Sequence, residues 1–314
     1  MRLVSCSSCN HAVSIPDAQR SIAPLRKCEV RTVPGERDHR AQAPGRLVTM
    51  SAVPIDDQGT TVQVPDKVRR VVSLVPSLTE AIGVSDPHLL VGVTDWCTHP
   101  VDLDEQVVTP PARIRGTKNP DLDAIVALEP DLVVANEEEN KPEHIAALRD
   151  RGLAVYVTDV RTVDGAFSSL DGMLAACGLE RPAWLEGAEK AWGEIGRVPD
   201  DERRTAVIPI WRRPWMAVGC DTFAGALLDR LGVDNVLADG GPTAERYPRF
   251  DPADLPAHDL VVLPDEPYLF TADDGPEAFA APARLVSGRL LTWYGPSLLE
   301  AAVTLPGALR AREQ

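Results

Sequence analysis

The chain lacks the features that mark membrane-spanning and nucleic-acid-binding proteins. No apolar run approaches the roughly 20 residues that a helix needs to cross a bilayer, so we expect no membrane insertion. Lys and Arg number 32 against 47 Asp and Glu, and the formal net charge is −15. Because contacts with phosphates require a basic surface, this balance argues against nucleic acid as a partner.

Catalytic signatures are also missing. The sequence contains no G-x-S-x-G elbow, Walker loop, G-x-G-x-x-G fingerprint or H-E-x-x-H pair. We therefore predict that the protein is not an enzyme, with chelatase-like or hydrolytic chemistry as the alternative. That alternative would use the three glutamates at 137–139 for acid–base work. A run of glutamates is more often a solvated loop.

The six cysteines form no recognisable framework. Cys6 and Cys9 have C-x-x-C spacing and Cys28 follows, but a zinc site needs a fourth ligand. The remaining cysteines are scattered and predict no disulfides: Cys97, Cys177 and Cys220. This usage indicates a reducing compartment. Because no signal peptide is recognisable, we expect a cytoplasmic protein, or an extracytoplasmic, membrane-associated one if the N-terminus is misassigned.

Composition changes near Met50, which is an alternative start. Residues 1–49 carry 8 Lys and Arg against 4 Asp and Glu, whereas the remainder carries 24 against 43. The first segment has no sustained periodicity, and we predict that it is mostly disordered. For the remainder we predict an N-terminal α/β lobe over 62–162, linking helices over 163–200 and a C-terminal α/β lobe over 201–314.

Short apolar runs alternate with amphipathic helical patterns after residue 62, which is typical of parallel, doubly wound sheets. The predicted strands are 71–75, 89–93, 132–135, 155–158, 206–210, 260–263 and 290–293. The predicted helices include 163–177 and 182–195 between the lobes, and 223–231 in the second lobe. The pattern therefore predicts an α/β fold with two doubly wound lobes and a long helical connection.

The segment 119–140 predicts one helix followed by one strand. Asn119 is expected to cap a helix whose first turn holds a proline and an aspartate. The strand after it ends at the three glutamates, at the edge where open α/β sheets bind ligands. The segment therefore offers two separate acidic sites, Asp123 on the helix and the glutamates after the strand.

Aromatic residues are few, with six Trp, four Tyr and five Phe. Seven of them follow predicted strands or lie in loops, where on two facing lobes they would line a cleft. These residues are Trp96, Trp211, Trp215, Tyr247, Tyr268, Trp293 and Tyr294. Arg212 and Arg246 lie beside them in sequence and suit a bulky anionic or carboxylate-bearing ligand. The alternative is that the rings pack under loops and the arginines are solvated.

Four segments resemble the class III substrate-binding proteins of ABC importers, which are receptors for ferric siderophores, haem and cobalamin. They are VVSLVPSLTEAI (71–82), LVGVTDWCTHP (90–100), GTKNPDLDAIVALEPDLVVANEEEN (116–140) and LLTWYGP (290–296). The resemblance implies two α/β lobes joined by one long rigid helix, with the ligand in the cleft between them. It also implies a metal chelate as the ligand (cobalamin, ferric siderophore or haem) and no cofactor of the protein's own.

The resemblance also implies roles for individual residues. Ser77 and Glu80 form a capping-box pattern at a helix start, and an exposed helix N-terminus facing an anionic ligand is the alternative. Cys97 and His99 are too few for a metal site, so we predict none. The candidate ligand-binding residues are Ser77, Trp96, Glu138, Trp211, Arg212, Trp215, Arg246, Tyr247, Tyr268 and Trp293.

In these importers one carboxylate on each lobe docks onto arginines of the permease, which is therefore the expected protein partner. Asp123 stands where the first-lobe carboxylate is expected. In the second lobe Ala253 occupies the expected position, with Asp254 as the neighbouring candidate. This departure leaves an alternative, a leaderless cytoplasmic protein that binds, stores or senses a chelate without docking. We expect a monomer.

Overall fold

Five parallel strands form the first sheet in the computed structural model, which describes residues 53–238 and 245–310. The predicted disordered segment 1–49 lies outside these residues. In chain order the first-lobe strands are β1 (Val71–Ser73), β2 (Leu90–Val93), β3 (Ala112–Arg113), β4 (Arg115–Gly116), β5 (Asn119–Pro120), β6 (Leu132–Asn136) and β7 (Val155–Thr158). The helices are α1 (Pro76–Ser85), α2 (Leu103–Gln106), α3 (Leu122–Ala127) and α4 (Pro142–Asp150).

The order of strands in the first sheet is β3-β2-β1-β6-β7, while β4 and β5 form a separate antiparallel hairpin. Central strand β1 is wholly buried, and its residue Val71 lies opposite both Leu90 and Leu132. The chain leaves β1 towards β2 on one side and later returns as β6 on the other. Strand order therefore reverses beside β1, and open α/β sheets bind ligands at the carboxyl ends of such strands.

Two helices connect the lobes, α5 (Val163–Ala176) and α6 (Ala183–Glu194). The Thr162 hydroxyl caps α5 by accepting a 2.9 Å hydrogen bond from the Gly165 N–H. Gly178 follows the helix with φ +79°, which a residue without Cβ adopts at little cost. Pro182 then precedes α6. The connection therefore consists of two helices, as predicted for 163–177 and 182–195, because the glycine ends the first helix and a second begins.

The second lobe repeats the architecture of the first. Its strands are β8 (Arg204–Val207), β9 (Pro209–Trp211), β10 (Met216–Ala217), β11 (Val233–Asn235), β12 (Leu260–Pro264) and β13 (Ala283–Val286). Its helices are α7 (Phe223–Arg230), α8 (Gly288–Thr292) and α9 (Ser297–Arg310). The parallel sheet has the order β11-β8-β12-β13, so strand order again reverses at a central strand, β8. The predicted α/β class with two doubly wound lobes is confirmed.

The predicted strand at 290–293 is wrong. These residues lie in and just after α8, where the Ser287 hydroxyl accepts a 3.4 Å hydrogen bond from the Leu290 N–H. A short apolar run looks alike in a buried helix and a buried strand, so periodicity could not separate them. The last strand is instead β13, an edge strand with a single buried residue, Val286. No helix within 53–238 or 245–310 is long and apolar enough to cross a bilayer.

Two predicted helix starts are also wrong. Helix α1 begins at Pro76 after Val75, so Ser77 lies inside the first turn and caps nothing. Proline favours the first helical position because its φ is already helical and its missing N–H would have no partner there. Asn119 belongs to strand β5, and the Asp121 carboxylate caps α3 by accepting a 3.1 Å hydrogen bond from the Ala124 N–H.

Candidate ligand-binding cleft

The carboxyl ends of the two sheets face each other across a cleft, and two arginines cross it in opposite directions. Arg246 of the second lobe pairs with Glu138 of the first, and its Nη1 lies 3.4 Å from Glu137 Oε2. Arg161, just after β7, places its Nη1 2.6 Å from the Asp221 carboxylate of the second lobe. These ion pairs hold the two lobes together at one part of the cleft.

Buried amides position the glutamates at the end of β6. The side-chain carbonyl of Asn136 accepts hydrogen bonds from the backbone N–H groups of Glu138 (3.0 Å) and Glu139 (3.1 Å). The Asn140 amide donates to the carbonyls of Leu74 (3.3 Å) and Thr117 (3.0 Å). Asn140 therefore ties β6 to the end of β1, where strand order reverses. Sequence reasoning missed this residue, although a polar residue shortly after a buried strand was the available signal.

Two charged groups in the cleft have shifted pKa values. Burial raises the pKa of Glu138, and the neighbouring Arg246 opposes that shift. The pKa of Arg161 is raised chiefly by its hydrogen bonds to the Asp159 carboxylate. Arg246 and Arg161 thus already form ion pairs with carboxylates of the protein itself.

Helix α1 forms a second contact between the lobes. Glu80 on α1 is 3% exposed and pairs with Arg289 on α8. Burial raises the pKa of Glu80, while Arg289 lowers it. At Gly295 a Cβ would lie 3.0 Å from the Ser77 carbonyl oxygen, so a residue with no side chain permits this close approach.

A histidine and a tryptophan extend the contact between the lobes. The ring of His99, in the loop after β2, meets the ring of Trp293 edge to face at 5.5 Å. Burial lowers the pKa of His99, and the charge of Arg289 adds to the effect. Both rings are half-buried, so they form part of the surface where the first and second lobes meet.

Two tryptophans remain accessible at the ends of strands. Trp96 is 67% exposed, and its indole Nε1 lies 3.4 Å from the position that a Cβ on Gly116 would take. Trp211, at the end of β9, is 43% exposed and meets Tyr268 edge to face at 5.7 Å. Flat aromatic surfaces of this kind suit stacking on a large planar ligand.

Comparison with known proteins agrees with this architecture. No protein-family model matches the chain. Its sequence is 27% identical over 217 residues to YvrC of Bacillus subtilis, named an uncharacterized ABC transporter substrate-binding lipoprotein, covering 65% of this chain and 66% of YvrC. Over 112 residues it is 28% identical to the vitamin B12-binding protein of Vibrio cholerae, covering 35% of this chain and 38% of the relative. The chain thus matches less than two thirds of the length of each relative.

Among solved structures, the periplasmic heme-binding protein RhuT from Roseiflexus sp. RS-1 superposes with a TM-score of 0.58 at 18% identity. The superposition covers 77% of this chain and 97% of RhuT. The chain has the class III substrate-binding protein fold. The resemblance seen in the sequence is thereby confirmed.

Within the class III fold, three predicted ligand-binding residues are engaged inside the second lobe. Arg212 pairs with Asp274 and Glu277 and lies 5.1 Å from the Trp215 ring centroid. Trp215 also packs against three phenylalanine rings at centroid distances of 5.3–5.9 Å. The Tyr268 hydroxyl donates a 2.6 Å hydrogen bond to Asp274, and this bond raises the pKa of Tyr268. These contacts stabilise the lobe, and a ligand contact by any of the three stays a prediction.

The other predicted ligand-binding residues have different surroundings. Ser77 is 4% exposed beneath the segment that contains Gly295, so α1 does not present it to solvent. Tyr247 is half-buried beside Arg246. Four predicted residues border the cleft, because they are exposed there or contact the other lobe. They are Trp96, Glu138, Arg246 and Trp293. Their contact with a ligand also stays a prediction.

The two predicted docking acids are accessible. Asp123 has a side chain that is 90% exposed, and its carboxylate pairs with Arg151 at 2.9 Å. Asp254 is exposed in a 3₁₀ turn, Pro252–Asp254, which the Asp251 carboxylate caps through the Ala253 N–H at 3.0 Å. Accessibility is a condition for docking, and the role itself remains a prediction.

In the described part of the chain, no group of three or more His, Cys, Asp and Glu side chains could hold a metal. Cys97 is buried with its sulfur 3.0 Å from the Thr79 hydroxyl and 3.1 Å from the Thr94 hydroxyl. Burial raises the pKa of this thiol, which disfavours the thiolate that metals require. A depression of about 270 Å³ adjoins Cys97, and one of about 640 Å³ lies beside Arg203 at the amino end of β8.

Proposed function

We propose that the protein captures a metal chelate for an ABC importer and does not catalyse a reaction. The observation that carries this proposal is the cleft between two parallel sheets, where strand order reverses in both lobes and exposed tryptophans follow the strands. The relatives support it, since they include an ABC transporter substrate-binding lipoprotein and a vitamin B12-binding protein.

The ligand in this proposal is a chelate of the cobalamin, ferric siderophore or haem type. Its own donor atoms hold the metal, so the protein supplies binding surface and needs no cofactor. Trp96 is the strongest candidate for a stacking contact, because its indole is exposed at the carboxyl end of β2. Because ion pairs already hold the two lobes together, ordering the cleft would cost little of the free energy of ligand binding.

Titration of the full chain with cyanocobalamin, haemin and a ferric siderophore tests the proposal. At least one probe is expected to quench tryptophan fluorescence and to be recovered unchanged. Trp96→Ala is expected to weaken binding of that probe about tenfold, because an aromatic contact contributes roughly 1–1.5 kcal/mol.

Leu299→Ala is the matched control for this titration. Leu299 is a 42% exposed apolar residue on α9, and it lies near Gly187 on α6. Calorimetry should give the control the affinity of the unmodified protein. The proposal fails if none of the three probes binds.

The proposal includes docking to a permease through Asp123 and Asp254. It also takes the protein to be a monomer. Ala253 at the expected acidic position favours a second candidate, a cytoplasmic protein that binds, stores or senses the chelate. Fractionation of native cells separates the two. Recovery in the membrane fraction would support docking to a permease, and recovery in the cytosol would favour the second candidate.

A further inference from the structure

The two arginines that cross the cleft are already paired with carboxylates of the protein. Arg246 pairs with Glu137 and Glu138. Arg161 pairs with three carboxylates, those of Glu137 at 3.0 Å, Asp159 at 2.5 Å and Asp221 at 2.6 Å. An anionic ligand at either guanidinium would have to compete with these carboxylates for its N–H donors.

The same edge of the first sheet carries more negative than positive charge. Glu139 is half-buried and forms no ion pair with any residue in the described ranges. The Lys118 ammonium donates to the backbone carbonyl of Glu138, at 2.5 Å, rather than to a carboxylate. With Lys141, whose ammonium donates to the Asn119 side chain at 2.8 Å, this edge carries five carboxylates against four cations. The carboxylates are Glu137, Glu138, Glu139, Asp159 and Asp221.

We infer that this cleft selects its ligand by charge: it takes a chelate without net negative charge whose periphery carries amide N–H donors, and it disfavours carboxylate-bearing chelates. This inference rests on the proposed function and specifies the class of ligand. An amide N–H can donate to a carboxylate such as Glu139, which forms a charge-assisted hydrogen bond. No existing ion pair has to break for that contact.

A carboxylate-bearing ligand would meet two costs at the same place. It would approach like charges in a partly desolvated cleft, where repulsion is stronger than in bulk water. If it displaced Arg246, it would leave Glu138, whose side chain is 23% exposed, without its partner. Both costs arise from residues 137–139 and not from the size or shape of the ligand.

The test compares probes that share one scaffold and differ in charge. One pair is cyanocobalamin and its monocarboxylic acid, in which a single side-chain amide is hydrolysed. The other pair is the bis-amide of haemin and haemin itself. For the scaffold that binds, the amide member is expected to bind at least about tenfold more tightly at low salt. The ratio should shrink as ionic strength rises, because salt screens exposed charges.

Substitutions identify the residues that set the preference. Glu139→Gln, alone and with Glu138→Gln, is expected to reduce the ratio of affinities within a probe pair at least threefold. Glu143→Gln removes the same charge from an exposed site on α4 and should leave the ratio unchanged. Circular dichroism of each variant checks that the fold is retained.

The outcomes separate this inference from the proposed function. Equal affinity within a pair, or tighter binding of the carboxylate member, overturns charge selection while the chelate-binding function stands. An unchanged ratio in both glutamate variants overturns the assignment to Glu138 and Glu139. Failure of all four probes and of a ferric siderophore to bind overturns the proposed function itself.

Discussion

Replacing Arg289 with methionine is expected to lower the free energy of unfolding by about 3–5 kcal/mol. The guanidinium pairs with Glu80, whose side chain is 3% exposed, and this contact joins α8 of the second lobe to α1 of the first. Without Arg289 a buried carboxylate loses its ion-pair partner. Urea denaturation followed by tryptophan fluorescence measures the change.

Arg181→Met is the matched control for this loss. Arg289 forms a second ion pair, with Glu300 at 3.2 Å. Arg181 likewise forms two ion pairs, but both carboxylate partners, Asp171 and Glu189, are about half exposed. Its removal is expected to cost at most about 1 kcal/mol. Adding Glu80→Gln to Arg289→Met should recover part of the stability, since a neutral amide replaces the unpaired charge. An Arg289→Met loss no larger than that of the control would contradict this account.

Trp192→Ala is expected to lower the free energy of unfolding by about 3–5 kcal/mol. Trp192 is 1% exposed on α6, and its indole N–H donates a 2.9 Å hydrogen bond to the Leu298 carbonyl on α9. The substitution leaves a cavity between the connecting helix and the last helix, and it removes the hydrogen bond from the indole to that carbonyl. Guanidinium denaturation gives the magnitude.

Two companion variants show which part of the Trp192 side chain is responsible. Trp192→Phe retains most of the ring and loses only the hydrogen bond, so its cost should be well below that of alanine. Trp184→Ala removes a half-buried indole from the first turn of the same helix, where it donates to the Ser85 hydroxyl at 3.0 Å. A Trp192→Ala cost equal to that of Trp184→Ala would contradict the cavity argument.

Buried parallel strands were the most predictable part of the fold. The predicted strand at 155–158 coincides with β7, and the prediction at 132–135 differs from β6 only by the final residue, Asn136. Both runs contain β-branched residues, which favour a strand in a sheet covered on both faces. The helix predicted at 163–177 likewise matches α5, since Thr162 caps it and Gly178 follows its end.

The contacts between lobes were not predictable, because they join residues that are far apart in sequence. Glu80 and Arg289 are separated by 209 positions, and Arg246 and Glu138 by 108. Locally, Glu80 fits a capping box with Ser77, and Arg246 lies beside an aromatic residue. The local patterns therefore indicated a helix cap for Glu80 and a ligand contact for Arg246. In the structure both residues form ion pairs between the lobes.

The candidate site was predictable in its location and less so in its electrostatics. The prediction that residues 137–139 end a strand at the cleft agrees with the structure, as does the exposure of Trp96. The sequence shows how many acids and bases the chain has, but not which of them pair. Pairing decides whether an arginine is available to a ligand, and both Arg212 and Arg246 are already engaged.

The packing of α6 against α9 has a consequence for biosynthesis. Trp192 and its partner Leu298 are 106 residues apart, so a ribosome needs about 5–20 s to reach the second after the first. During that interval α5 can pack against the connecting helix, but the part of its apolar face that contacts α9 is uncovered. Nascent chains that end before α9 would therefore expose this face to chaperones and proteases, and quality control could recognise incomplete products by it.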